Sequence, residues 1–239
     1  MQSFRRQVDL SCLFTFKNVS AKTQSHLTQV YTLLMTTALV CAMGMYVNST
    51  FVVSGFFLNL LSVIGSIFLV YQTLNRANSE DTRKAYLAGL AFQLGFLVGP
   101  ALHYLVEFEP TIVLQAVLYT AAAFISFSAL SLFSQRRSYL FLGAIIITLI
   151  QGMALYRLFA YFFGYSLMPM TYLMVGLLTA CLYIIYDTQI IIERAELGDK
   201  DVVGHALLLF IDLFDLFIKI LKILIKLSQD DKDKKKNKK

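Results

Sequence analysis

The chain has 239 residues, 57% of them hydrophobic and 15% charged, with a formal net charge of +6. A water-soluble domain of this size has no use for so much apolar surface, and uncharged runs of about 20 residues are what a bilayer requires. The positive excess lies mainly in one terminal segment, so no basic face for nucleic acid is expected.

Residues 1–28 carry Arg5, Arg6, Lys17 and Lys22 and no long apolar run, and read as a cytosolic arm. They lack the apolar core and small-residue cleavage site of a signal peptide, so the first span is expected to direct its own insertion. That span covers roughly residues 29–47, and a short turn, Asn48-Ser49-Thr50, leads to a second at roughly 51–72. The turn matches a glycosylation sequon, but its position at the membrane edge predicts that it stays unmodified. A polar loop with Arg76, Arg83 and Lys84 precedes the third span, roughly 85–106. In that span Gly95 and Gly99 have the small-xxx-small spacing that lets a neighbouring helix approach closely, and Pro100 removes a backbone hydrogen bond.

The fourth span, roughly 111–133, is closed by Arg136 and Arg137, and the fifth runs over roughly 139–163. Arg157 lies where its stem reaches the interface. The sixth span covers roughly 170–192. A loop of mixed charge follows, then a seventh apolar segment, then the tail QDDKDKKKNKK, for which disorder is predicted. Cys12, Cys41 and Cys181 are scattered in apolar settings, as reduced packing residues are.

Lysine and arginine occupy the arm and the second, fourth and sixth loops, which places the N-terminus in the cytosol. Seven full spans put the lysine tail on the far side, against the same rule. The seventh segment is unusual in carrying His205, Asp212, Asp215, Lys219, Lys222 and Lys226 at intervals of 7, 3, 4, 3 and 4, a polar stripe along one helix face. Such a segment either sits centrally in the bundle or returns to the side it entered. The fold class is all-α: a transmembrane bundle over residues 29–227, six spans plus the striped seventh helix, with an arm at 1–28 and a tail at 228–239.

The chemistry is concentrated in the last two apolar segments. Asp187 stands among Tyr186, Thr188 and Gln189, and Asp212 and Asp215 lie deep among Leu, Ile and Phe. A carboxylate inside a membrane costs several kcal/mol unless it is paired, protonated or wet. Two carboxyls brought together there cannot both ionise cheaply, so they share a proton and titrate as a unit. Asp187 also reads as an interfacial carboxylate near Arg194, and Asp215 and Lys219, four apart, as a plain salt bridge. His205 has the side chain that senses pH near 6.5, although a histidine at a helix start is commonly just solvated. No metal cluster, phosphate loop or Ser-His-Asp arrangement appears, and no cofactor is expected.

Five strings carry a resemblance: TQSHLTQVY (23–31), LAGLAFQLGFLVGPAL (87–102), RRSYLFLG (136–143), YDTQIIIERAELGD (186–199) and the stretch from His205 to Asp212 ahead of DKDKKKNKK. Together they resemble the Bax inhibitor-1 family over nearly the whole chain. The resemblance implies a protein of the endoplasmic reticulum membrane that restrains cell death, binds cell-death regulatory membrane proteins and leaks calcium in a pH-dependent way. It implies that Asp187 and Asp212 form a hydrogen-bonded pair closing the pore and that Arg83 latches the acids. Relatives often carry Glu where this chain has His103, and Asp215 is an addition.

On this reading an ionised Asp187/Asp212 pair is a transient calcium site, since calcium prefers hard oxygen ligands. Asp215 and His205 are accessory candidates, and Glu107 and Glu109 lie in a lumen-side turn that reads as a plain polar loop before it reads as a cation-attracting mouth. Lys234, Lys235 and Lys236 are expected to attract anionic lipid, at roughly 1 kcal/mol per residue near the surface. Two alternatives compete. A non-conducting scaffold uses Gly95, Gly99 and the basic tail as contacts. An intramembrane aspartyl protease also pairs two acids, but the GxGD glycine is missing from both ELGD (196–199) and FIDLFD (210–215), which argues against an enzyme.

Overall fold

The computed structural model describes residues 20–51, 55–134, 138–165 and 169–236. Within them the chain forms seven helices: α1 (Ala21–Phe51), α2 (Phe56–Leu74), α3 (Glu80–Phe108), α4 (Pro110–Phe133), α5 (Leu142–Phe163), α6 (Met170–Glu196) and α7 (Val202–Lys236). No strand occurs among the described residues. Each predicted span corresponds to one helix. Five of them, α1, α3, α4, α5 and α6, are long and apolar enough to cross a membrane. The 19 residues of α2 reach about 28 Å, close to the thickness of a hydrocarbon core. Lipid-facing positions such as Leu39, Phe57 and Phe162 are correspondingly exposed on the outside of the bundle.

Local chemistry extends two helices beyond the predicted spans. Ser20 accepts a hydrogen bond from the Thr23 amide at 3.3 Å, which caps α1 well before residue 29. Ser79 caps α3 through the Thr82 amide, and Glu80 and Asp81 follow in the first turn, where negative charge favours the helix N-terminus. Arg83 thereby belongs to a helix and not to a loop. The Arg136-Arg137 pair and residues 1–19 of the arm lie outside the described residues.

The helix α7 takes one of the two courses that its stripe allows. At its start, Asp201 is bonded to Arg83 near the beginning of α3. Towards its end, Lys232 pairs with Glu109, just past the end of α3. The helix therefore runs beside α3 from one end of the bundle to the other, and it packs against α1, α2, α3, α4 and α6. It is central and it traverses the bundle, so Lys232 lies at the opposite end from Ala21. Helix also continues through Lys236, in a stretch where disorder is predicted from 228. Asp230 and Lys234, and Asp231 and Lys235, stand four apart, and opposite charges at that spacing support a helix.

α1 and α3 meet through glycine. A Cβ added at Gly95 would lie 2.0 Å from the Cys41 carbonyl oxygen, and one at Gly99 would lie 2.7 Å from Asn48 Cβ. Asn48 is buried and donates to the Phe96 carbonyl at 2.7 Å, so the amide of the sequon is engaged inside the bundle. Gly95→Ala is expected to destabilise the protein by about 1–3 kcal/mol, because the backbones must separate. Thermal unfolding in detergent measures this, and Gly152→Ala, where an added Cβ meets nothing within 4 Å, is the control with little change.

Candidate functional site

Three polar groupings lie along α7: a charged cluster at its start, a histidine pair one turn in, and an acid pair about three turns in. Asp201 opens the helix. Its Oδ1 accepts from the Gly204 amide at 3.0 Å, which makes it the N-cap, while Oδ2 accepts from Arg83 Nη2 at 2.7 Å. The Arg83 side chain is buried and also donates from Nε to the Thr73 carbonyl at 2.7 Å. Arg76, on the loop before α3, holds Asp199 at 2.9 Å and Asp201 at 3.4 Å. This cluster ties the α2–α3 loop to the α6–α7 loop, and the bond from the Ser20 amide to Glu196 brings the start of α1 to the same end.

Burial alone would raise the Asp201 carboxyl, but the Arg83 bond, the Gly204 amide and the Arg76 charge together hold it below the ordinary 3.8. A carboxyl lowered by folding contributes stability that is fully present above its unfolded value and is lost as pH falls through its folded value. Wild-type melting temperature is thus expected to drop as pH is lowered below about 3.8, and an Asp201→Asn variant, already weaker at neutral pH, loses that part of the acid dependence.

The histidine pair was half visible in the sequence. His205 is 2% exposed, not solvated at a membrane surface, and its Nδ1 meets Nε2 of His26 on α1 at 2.8 Å. In a neutral pair one ring nitrogen donates and the other accepts. His26 is separated from His205 by 179 residues, so no local pattern connects them.

The acid pair joins α6 to α7. Asp212 is 6% exposed, Asp187 is half-buried, and their carboxyls lie within hydrogen-bonding reach of one another. A bond between them requires one proton, since a carboxylate oxygen can only accept. Asp212 Oδ2 has no protein partner. The segment of α6 that carries Asp187 is anchored on α4: Ser131 Oγ donates to the Ile185 carbonyl at 2.9 Å, and Gln189 Nε2 donates to the Ser131 carbonyl at 2.8 Å. These two bonds anchor α6 on α4 at the level of Asp187.

The other predicted residues fall elsewhere. Arg83 is not on the acids: it is bound to Asp201, eleven residues before Asp212 on α7, which is about 16 Å along the helix axis. The start of α3 sits at the end of the bundle, too far for an arginine side chain to reach Asp212. Asp215 makes the salt bridge with Lys219. His103 meets the Ser49 carbonyl at 2.8 Å, near the far end of α3. Lys234 is exposed, while the side chains of Glu107, Lys235 and Lys236 lie outside the described residues. Among the described residues no group of three or more His, Cys, Asp or Glu side chains is placed to hold a metal ion.

A family model described as "Inhibitor of apoptosis-promoting Bax1" matches residues 23–230, which include all three groupings. The chain belongs to the Bax inhibitor-1 family. It is 39% identical to Bax inhibitor 1 of Mus musculus and 37% identical to that of Homo sapiens, in each case over the full length of both chains. A "Probable Bax inhibitor 1" of Paralichthys olivaceus is 38% identical, again over both full lengths. Membership agrees with the multi-pass helical bundle, and the Bax inhibitor-1 match runs through the traversing α7 to residue 230.

Proposed function

We propose that the protein is a pH-sensitive calcium leak of the endoplasmic reticulum membrane that restrains cell death, with its N-terminus in the cytosol. The observation that carries the gating is the buried Asp187–Asp212 pair between the anchored α6 and the central α7. The names of the relatives, as inhibitors of Bax, support the role in cell death.

With a proton on the pair, α7 is held against α6 and the path is closed. Loss of the proton leaves two like charges in a low-dielectric setting, which is unfavourable until water or a cation enters between them. Calcium takes six to eight oxygen ligands at about 2.3–2.6 Å. Two carboxylates with few neighbouring oxygens bind it weakly, as conduction requires. Arg76, Arg83, Arg194 and Lys200 gather at the end where α1 begins, which favours that end as the cytosolic one. The lysine run of the tail then lies at the opposite surface, within reach of anionic lipid headgroups.

Calcium efflux from liposomes holding only this protein is the test. Efflux that changes with pH supports the leak. Absence of efflux from folded protein, with cell protection lost on deleting residues 229–239, selects a scaffold acting through other membrane proteins.

A further inference from the structure

Six buried side-chain atoms among the described residues lack a well-aligned hydrogen-bond partner in the protein: Tyr31 Oη, Ser128 Oγ, Thr188 Oγ1, Gln189 Oε1, His205 Nε2 and Asp212 Oδ2. They come from α7 and from α1, α4 and α6, each of which packs against α7. His205 and Asp212 are seven residues apart on α7, two turns on one face and about 10 Å along the axis. α6 returns antiparallel to α7 with Asp187 opposite Asp212, so Thr188 and Gln189 fall between the levels of Asp212 and His205. On α1, Tyr31 stands five residues beyond His26, the partner of His205. Its hydroxyl lies beside those of Ser128 and Thr188, although none of the three is aligned as a hydrogen bond.

Buried polar groups in folded proteins are otherwise bonded to protein or to ordered water. A single unmatched atom is unremarkable; six on four helices, with the histidine and acid pairs about 10 Å apart along α7, mark polar ground inside an otherwise apolar bundle. We propose that a column of water binds along this ground and carries protons between the His26/His205 pair and the Asp187/Asp212 pair, so that the acids take their protons from the end of the bundle where α1 begins. His205 Nε2 and Asp212 Oδ2 are its two terminal contacts, and Gln189, Tyr31, Ser128 and Thr188 supply the intermediate ones. Arg194 of α6 and Asp199, Lys200 and Asp201 of the α6–α7 loop face the histidines electrostatically, with Arg83 of α3 bound to Asp201. The entry therefore opens into a cluster of mixed charge.

The proposal rests on the acid pair as a proton-binding site, but not on calcium movement. Radiolytic hydroxyl-radical footprinting of the full chain in lipid nanodiscs tests it, because the radicals form from water in place. His205, 2% exposed, is expected to be oxidised much faster than Phe210, which at 1% is matched to it in burial on α7, each rate taken relative to the unfolded chain. A rate for His205 no greater than for Phe210 overturns the proposal. Thr188→Val removes one contact at nearly constant shape and is expected to slow carboxyl protonation after a pH jump by about tenfold, with the equilibrium titration unchanged. An unchanged rate in a folded variant also counts against the column. His205 labelling without calcium efflux removes the leak and keeps the column, and efflux with unlabelled His205 does the reverse.

Discussion

Asp187→Asn combined with Asp212→Asn is expected to leave calcium flux insensitive to pH between about pH 5 and 8. Asparagine keeps the shape of the carboxyl and its hydrogen-bonding capacity, so one amide can donate to the other much as the shared proton does. It has no proton to lose, and the like-charge state that parts α6 from α7 never forms. A single titrating site changes its protonation ratio by about tenfold per pH unit, and this dependence is what disappears. The remaining flux is expected near the closed level. Each single Asn variant keeps one ionisable carboxyl and so retains some titration, displaced from that of the wild type. A double variant that still titrates normally places the sensor elsewhere.

Arg83→Ala is expected to cause the largest loss of stability, about 3 kcal/mol. The side chains of Arg83 and Asp201 are 8% and 10% exposed, and removing one partner of a buried pair strands the other charge. Arg76 compensates only in part, since it reaches Asp201 at 3.4 Å from a side chain that is 65% exposed. The Thr73 carbonyl loses its donor as well. Arg83→Lys keeps the charge but not the fork that serves both acceptors, so a smaller loss is expected. Thermal unfolding in detergent separates the three proteins. Because Arg83 sits far from Asp187 and Asp212, its conservative variant is also expected to leave the pH midpoint of the flux in place, whereas a latch on the acids would move it.

The spans were legible because a bilayer demands long uncharged runs, and the seven helices fall on them. The central place of α7 was legible from its stripe, since a helix with acids and lysines on one face is poorly suited to lipid. Asp187, Asp212 and Asp215 stood out by cost, as carboxyls among residues that solvate them badly, and the family resemblance picked Asp187 and Asp212 as the pair. What the sequence concealed depends on distant partners. Nothing near His26 marks it as the partner of His205, and nothing near Arg83 says that Asp201 outcompetes the acids for it. That choice follows from helix register, which places Arg83 level with the start of α7 and not with Asp212. The buried column could not be read from residue types either, because Tyr31, Ser128, Thr188 and Gln189 are ordinary polar residues until α1, α4 and α6 pack against α7.

The most direct measurement is the infrared absorption of protonated carboxyl groups across pH, recorded on the same proteoliposomes whose calcium efflux is followed, for wild type and Asp212→Asn. The account predicts one protonated carboxyl in the neutral wild type, lost with the same midpoint at which efflux changes, and a displaced midpoint in the variant. Carboxyls ionised throughout that range while efflux still responds to pH would contradict it.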